Sequence, residues 1–187
     1  MRNAPRSRTG ERPAPDDSYR LDVYTTSIRE AVVHAGGLLI DRAMAGWTVT
    51  ILTEPGDDAE LVARILGCQV AERGAIPDPD RPLPYGIAVT SALYDADTRL
   101  RKRVAARFGQ TVGETDVIGV DPEGEHDPRL HIVSHRLSHA AVVFKARALA
   151  AVGLAGSPVG GTEQLMRATA AETVVSDPEL PVSAQRG

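Results

Sequence analysis

The chain has 187 residues, a formal net charge of −4 and a single cysteine, and 42% of its residues are hydrophobic. A chain of this length buries about 70% of the surface that its unfolded form exposes, so it needs neither a disulfide bond nor a structural metal to fold. One cysteine excludes an internal disulfide framework and a multi-cysteine zinc module, and the mild acidity argues against a general nucleic-acid-binding domain.

The composition also bears on the cellular setting. No apolar run approaches the roughly 18 residues of a membrane span, and no apolar run follows the N-terminal arginines as a secretory signal would require. Arginine outnumbers lysine by nineteen to two, a bias that is typical of a GC-rich bacterial genome. We therefore expect a cytoplasmic bacterial protein without a membrane partner.

Both ends of the chain are poor in apolar residues and rich in proline and polar residues. Such segments bury too little apolar surface to offset the entropy that ordering costs. We predict disordered tails over residues 1–20 and 172–187, and a single folded domain over residues 21–171.

The first predicted element is a helix from Thr26 to Ala45, because apolar residues recur there at helical spacing. Most of its circumference is apolar, which predicts that the helix lies deep in the domain. Gly36 and Gly37 interrupt it, and each is about 1 kcal/mol less favourable than alanine in a helix interior. Close backbone packing or a kink is the expected reason for both glycines.

Strands and helices alternate along the rest of the chain. A strand over 47–51, a short helix over 59–66 and a strand over 68–71 form a predicted βαβ unit. An unbroken helical stripe predicts one long helix over 88–108, although Ile87 to Thr90 also have strand propensity. The remaining predicted elements are strands near 115–120 and 130–133, a helix over 135–153, a glycine-rich loop over 153–161 and a final helical turn over 162–170.

These elements predict the α/β class. We expect a small single domain in which a three- or four-stranded, mostly parallel sheet packs with about four helices.

Three histidines are the most distinctive candidate site. His131, His135 and His139 are spaced by four residues, and two histidines at this spacing on one helix face can chelate zinc or another divalent ion. Further candidate ligands lie just upstream, at Glu125, His126 and Asp127. The alternative interpretation is a set of surface histidines beside a helix N-terminus that Ser134 caps.

A second candidate lies on the first helix, where Glu30, His34 and Asp41 form a narrow polar stripe. A carboxylate and a histidine at this spacing suit proton transfer or metal binding. The alternative is a solvated edge of an otherwise apolar helix.

A third candidate is basic. Arg99, Lys102 and Arg103 share one side of the predicted helix over 88–108 and are candidates for contacts with phosphates or nucleic acid. The alternative is a solvated helix face with local ion pairs.

Several motifs are absent. The acidic loop after residue 120 fails as an EF-hand loop because its sixth position is His126 and its twelfth is Ile132. The glycine-rich stretch over 153–161 lacks the lysine and the spacing of a phosphate-binding loop. Cys68 begins a predicted buried strand, where a cysteine usually acts as a small apolar residue.

Three segments carry a resemblance: VHAGG at 33–37, DRAMAGW at 41–47 and HRLSHAA at 135–141. Together they resemble a group of uncharacterised actinobacterial proteins over about residues 22–155. The resemblance implies a cytoplasmic bacterial protein, and it carries no known activity and no catalytic or binding residue.

Three functions remain open at this point. The leading expectation is a non-catalytic regulatory or protein-interaction module whose partner is another protein and which has no cofactor. The second is a metal- or phosphate-dependent enzyme that uses His135 and His139 with His34 and Glu30, and that binds a divalent metal. The third is accessory nucleic-acid binding through the Arg99–Arg107 helix.

Overall fold

The alternating strands and helices form one sheet with helices on both faces. The computed structural model describes residues 19–56, 58–74, 83–108, 113–119 and 127–168. In these ranges the strands are β1 (Arg20–Tyr24), β2 (Thr48–Thr53), β3 (Gln69–Glu72), β4 (Gly86–Thr90), β5 (Glu114–Ile118), β6 (Leu130–Arg136) and β7 (Thr162–Ala168). The helices are α1 (Ile28–Met44), α2 (Ala59–Leu66), α3 (Ser91–Ala96), α4 (Thr98–Ala105) and α5 (His139–Ala151).

The strands form a seven-stranded sheet in the order β3-β2-β1-β4-β5-β7-β6. The five strands from β3 to β5 run parallel, whereas β7 is antiparallel to β5 and β6 is antiparallel to β7. The α/β class and the β2-α2-β3 unit are confirmed. The sheet is larger than predicted, because β1, β4 and β7 were not predicted as strands.

Helix α1 packs on one face of the sheet together with α2 and α5. Its buried residues include Val32, Leu38 and Leu39, which confirms that the helix lies deep in the domain. The other face carries a second apolar cluster, in which α3 and α4 cover β4, β5 and β7. The two clusters place α1 and α3 on opposite faces of the sheet.

Close packing explains the paired glycines of α1. A Cβ atom on Gly37 would lie 1.5 Å from Cδ2 of Leu137, and one on Gly36 would lie 3.3 Å from Cγ of Lys145. Because no side chain fits at Gly37, the connection before α5 approaches the backbone of α1 directly.

The prediction of one helix over 88–108 was wrong. The chain forms β4, then α3 and α4, with a break at Asp97. Asp97 has extended backbone, and its carboxylate caps α4 by accepting the amides of Arg99 and Leu100, each at 2.9 Å. The apolar stripe looked continuous because the strand and both helices contribute to the same buried cluster.

Strand β1 begins at the edge of the segment that we predicted as a tail. It is only five residues long and carries two charged residues, so it shows no clear alternation. Arg20 and Asp22 are nevertheless buried, and Arg20 Nε donates to Asp22 Oδ1 at 3.2 Å. Residues 1–18 and the predicted tail over 172–187 lie outside the described residues.

Two boundaries near the C-terminal end also differ from the prediction. β6 extends to Arg136, so α5 begins at His139 and its N-cap is Ser138 rather than Ser134. The segment after the glycine-rich loop is strand β7 rather than a helical turn, because it pairs with both β5 and β6. None of the described helices is long and apolar enough to cross a membrane.

Candidate functional site

The strand order creates a switch point between β1 and β4. Along the chain, β1 connects through α1 to β2 on one side, whereas β4 connects through α3 and α4 to β5 on the other. Since α1 and α3 leave on opposite faces, a crevice is expected at the carboxyl ends of β1 and β4. Open α/β sheets bind their ligands at such a point.

The residues at this point are Thr26, Ser27, Glu30, His34 and Ser91, and we call them the switch-point crevice. Ser27 caps α1 by accepting the amide of Glu30 at 3.2 Å. Glu30 Oε2 reaches back to the amide of Thr26 at 3.2 Å and to its hydroxyl at 2.5 Å, much as in a capping box. Glu30 Oε1 makes no hydrogen bond to any described residue.

His34 and Ser91 meet around Gly119, which follows β5. The His34 ring is so close that a Cβ atom on Gly119 would lie 2.7 Å from it. Ser91 Oγ donates to the carbonyl oxygen of Gly119 at 2.5 Å. Because Glu30 lies one turn before His34 on α1, the crevice collects a carboxylate, an imidazole and several hydroxyl groups.

Asp41, the third member of the predicted polar stripe, belongs to a different contact. Its Oδ2 lies 2.9 Å from His135 Nε2 and accepts the amide of Ser138 at 3.2 Å. Partial burial raises the pKa of Asp41, but the hydrogen bonds from Ser138 and His135 outweigh burial and lower the pKa overall. Asp41 therefore links α1 to the connection between β6 and α5.

The histidines do not share one helix face. His131 and His135 lie on strand β6, and His139 is the first residue of α5. Among the described residues, no three His, Cys, Asp or Glu side chains form a group that could hold a metal ion. Glu125 and His126 lie outside the described residues, so metal binding at His131, His135 and His139 stays a prediction.

The basic candidate residues lie on α4. Arg99, Lys102 and Arg103 are all exposed there, on the helix that Asp97 caps. Their contact with phosphates or nucleic acid stays a prediction.

A cavity of about 250 Å³ lies beside the crevice, between the carboxyl ends of β2 and β3 and the start of α2. We call it the β2–β3 cavity. Thr53 lines it and is only 2% exposed, and the Thr53 hydroxyl has no hydrogen-bond partner in the described part of the chain. Three carboxylates also line the cavity: Glu54, Glu60 and Glu72.

The sequence interpretation missed a buried ion pair between Lys145 and Glu163. Lys145 Nζ donates to Glu163 Oε1 at 2.6 Å and to the carbonyl oxygen of Val33 at 2.8 Å. Glu163 also accepts the amides of Gly37 and Leu38, each at 2.8 Å. The pair ties α1, α5 and β7 together. A lysine among the apolar residues of α5 was the one signal that sequence offered for it.

A scan against protein-family models and a search of curated proteins found no match. Solved structures do match. A deacetylase–teicoplanin complex from teicoplanin biosynthesis has a TM-score of 0.57 at 10% identity, covering 80% of this chain and 97% of that chain. The zinc-inhibited form of a teicoplanin deacetylase has a TM-score of 0.57 at 11% identity, covering 82% of this chain and 99% of that chain. The A40926 pseudoaglycone deacetylase has a TM-score of 0.51 at 14% identity, covering 82% of this chain and 97% of that chain. At these identities the likeness concerns the fold.

Proposed function

We propose that this chain is a non-catalytic protein that binds a small, hydroxyl-rich molecule in the switch-point crevice. The observation that carries the proposal is that Glu30 lies at the start of α1, one turn before His34, and that His34 and Ser91 pack around Gly119 at the carboxyl end of the sheet, where β1 and β4 diverge. Ligand sites of open α/β sheets lie at this edge, and they use a few convergent polar groups to orient the ligand.

The chemistry of the crevice suits hydroxyl groups. Glu30 Oε1 is available as an acceptor, and the exposed hydroxyls of Thr26 and Ser27 both donate and accept. The N-terminus of the 17-residue helix α1 adds a partial positive charge, which favours the oxygen atoms of a ligand. The crevice combines a carboxylate, neutral hydroxyls and an imidazole. This combination suits a sugar or polyol ligand better than a phosphate.

The comparisons support a small-molecule ligand for this fold. One of the similar structures is a deacetylase in complex with teicoplanin. The low identity leaves the ligand of the present chain to be identified from its own residues.

Among the described residues alone, binding has more support than metal-assisted catalysis. One similar deacetylase is described in a zinc-inhibited form, and a catalytic zinc site normally has three protein ligands. The described residues hold no group of three such side chains, so they do not fit a zinc centre of that kind.

Metal-assisted hydrolysis is the second candidate, because the similar folds are deacetylases. In this chain it would draw on His135 and His139 with His34 or Glu30. Zinc titration by calorimetry, combined with a chemical assay for amine released from N-acetyl-D-glucosamine, tests it. Amine release that depends on zinc would contradict the binding proposal and favour hydrolysis. The binding proposal expects no amine release.

Calorimetric titration with N-acetyl-D-glucosamine tests the binding itself. Glu30→Gln is the sharpest variant, because glutamine preserves a capping box and removes only the carboxylate charge. We expect Glu30→Gln and Ser91→Ala to weaken binding at least about fivefold, which corresponds to one hydrogen bond of ordinary net strength. Asp95→Asn on α3, which removes one exposed charge outside the crevice, is the matched control and should bind like the wild type.

A further inference from the structure

Strand β6 forms one edge of the sheet, and among the described residues it pairs with β7 alone. It has seven residues, which pair with β7 in one continuous register without a bulge. The strand at the other edge, β3, has only four residues. Short strands, bulges, prolines and lysines are the usual means by which a sheet edge is kept from pairing with another chain. β6 has none of these features.

The register shows which backbone groups of β6 point away from β7. The amide of Leu137 donates to the carbonyl oxygen of Gly161 at 2.9 Å, just beyond the strand. Hydrogen-bonded and non-hydrogen-bonded pairs alternate along an antiparallel ladder. The residues between the hydrogen-bonded ones therefore direct their N–H and C=O groups outward, and these are Ile132, Ser134 and Arg136. All three are exposed, and their outward groups make no backbone hydrogen bond to the described part of the chain.

This outward row is complementary to itself. A two-fold axis places β6 of a second copy antiparallel to the first. With the axis beside Ser134, Ser134 faces its counterpart and Ile132 faces Arg136 of the second copy, so every outward N–H and C=O group on both strands finds a partner. An axis one residue earlier would need the amide of Leu130, which already donates to the carbonyl oxygen of Asp127 at 2.9 Å.

The side chains on this edge suit the same pairing. Ile132 is 51% exposed, and the methylene groups of the facing arginine would cover it. Arg136 is the one arginine or lysine of β6. The two copies of Arg136 would lie four residues apart along the paired strands, which is about 14 Å. Because this exceeds the screening length of about 10 Å at 0.1 M salt, their repulsion is weak.

We propose that this chain forms a homodimer in which two β6 strands pair antiparallel about Ser134 and join the two seven-stranded sheets into one. A contact limited to one strand edge is small, so we expect a dissociation constant of about 1–100 µM. β6 lies three positions from β4 in the strand order, so the proposal is independent of the function proposed for the switch-point crevice.

Sedimentation velocity of the full chain between about 1 µM and 500 µM tests the dimer. The wild type should change from monomer to dimer over this range. Ser134→Pro removes an outward N–H group, which an edge strand tolerates, and it should stay monomeric while its circular dichroism at low concentration matches the wild type. Ser134→Ala keeps the amide and is the matched control, which should dimerise like the wild type. A monomeric wild type, or dimerisation of Ser134→Pro with the wild-type dissociation constant, overturns the proposal.

Two substitutions at one position test the pairing through charge. Ile132→Lys and Ile132→Glu both remove the apolar side chain, but only lysine would face Arg136 of the second copy with a like charge. At low salt we expect Ile132→Glu to dimerise at least about tenfold more tightly than Ile132→Lys. Equal dissociation constants for the two variants would overturn the proposed pairing.

Amide hydrogen exchange locates the interface without any substitution. The outward amides of Ile132, Ser134 and Arg136 should exchange more slowly as the protein concentration rises. The inward amides of β6, which bond to β7, should be protected at every concentration. If the chain dimerises but the outward amides exchange at a rate independent of concentration, the dimer forms through another surface and the proposal is wrong.

Discussion

His135 Nε2 lies 2.9 Å from Asp41 Oδ2, and this contact joins the end of β6 to α1. Asp41 also accepts the amide of Ser138, so one carboxylate holds both sides of the turn that leads into α5. The residues are 94 positions apart in sequence. The contact therefore fixes how the antiparallel end of the sheet sits against the central helix.

This contact predicts a pH dependence of stability. Hydrogen bonds from Ser138 and His135 outweigh the effect of burial, so the pKa of Asp41 in the folded chain lies below its ordinary value of 3.8. A carboxyl group with a lowered folded pKa stabilises the fold fully above its unfolded pKa, and this stabilisation is lost as pH falls through the folded pKa. The free energies of unfolding of the wild-type chain and of the Asp41→Asn variant should therefore differ at pH 6. This difference should be smaller at pH 3. Urea titrations at both pH values measure it, and an equal difference at pH 6 and pH 3 would contradict the interpretation.

Gly37→Ala should destabilise the fold strongly. Its Cβ atom would lie 1.5 Å from Leu137 Cδ2, so the connection before α5 has to move. Overpacking of this kind typically costs about 1–3 kcal/mol, which exceeds the roughly 1 kcal/mol that alanine gains over glycine in a helix.

Gly36→Ala is the matched control for that variant, because its Cβ atom would lie 3.3 Å from Lys145 Cγ, a contact that a shift of a few tenths of an ångström relieves. In urea unfolding experiments, the free energy of unfolding of Gly37→Ala should be well below that of Gly36→Ala. The same stability for both would mean that the approach of Leu137 is not rigid.

The buried pair of Lys145 and Glu163 predicts non-additive mutations. Removing one partner of a buried ion pair leaves an uncompensated charge, which typically costs about 3–5 kcal/mol. Glu163 still accepts two backbone amides of α1 when Lys145 is replaced. Lys145→Met should therefore be less damaging than Glu163→Ala, which removes three acceptor contacts.

A double-mutant cycle of Lys145→Met and Glu163→Gln measures the coupling between the two side chains. We expect the double variant to be more stable than the sum of the single changes predicts, because neither charge is then left alone. Strict additivity in urea unfolding would argue against a direct interaction.

Cys68 should be inert in the folded chain. Burial raises the pKa of its thiol to about 12, and only the thiolate reacts with alkylating reagents. At pH 8 the folded chain should react with iodoacetamide roughly a thousandfold more slowly than the urea-unfolded chain. Mass spectrometry of the labelled fraction over time checks this, and similar rates in both states would show that the thiol is accessible and ionised.

Local patterns predicted α1 and the β2-α2-β3 unit, because helical spacing and strand alternation can both be recognised within a short stretch of sequence. Strands β1, β4 and β7 escaped prediction because their burial depends on distant partners. β7 illustrates this: Glu163 looks like an ordinary exposed residue in sequence, yet it is 6% exposed and bonds to α1 about 125 positions away.

The candidate site was only partly visible in the sequence. Glu30 and His34 stand one turn apart, and this local spacing was enough to single them out. Ser91 and Gly119 join them only because β4 and β5 lie side by side. The pairing of Asp41 with His135, rather than with His34, depends on the position of β6 at the far edge of the sheet, which no short-range pattern specifies.

The most direct measurement of the proposed function is an amide chemical-shift titration of the isotope-labelled chain with N-acetyl-D-glucosamine. Binding in the switch-point crevice predicts saturable shifts that centre on Thr26, Ser27, Ser91 and Gly119, and that need at least about fivefold more ligand to saturate in Glu30→Gln. Shifts centred elsewhere on the chain, or no saturable shift in the wild type, would contradict the account.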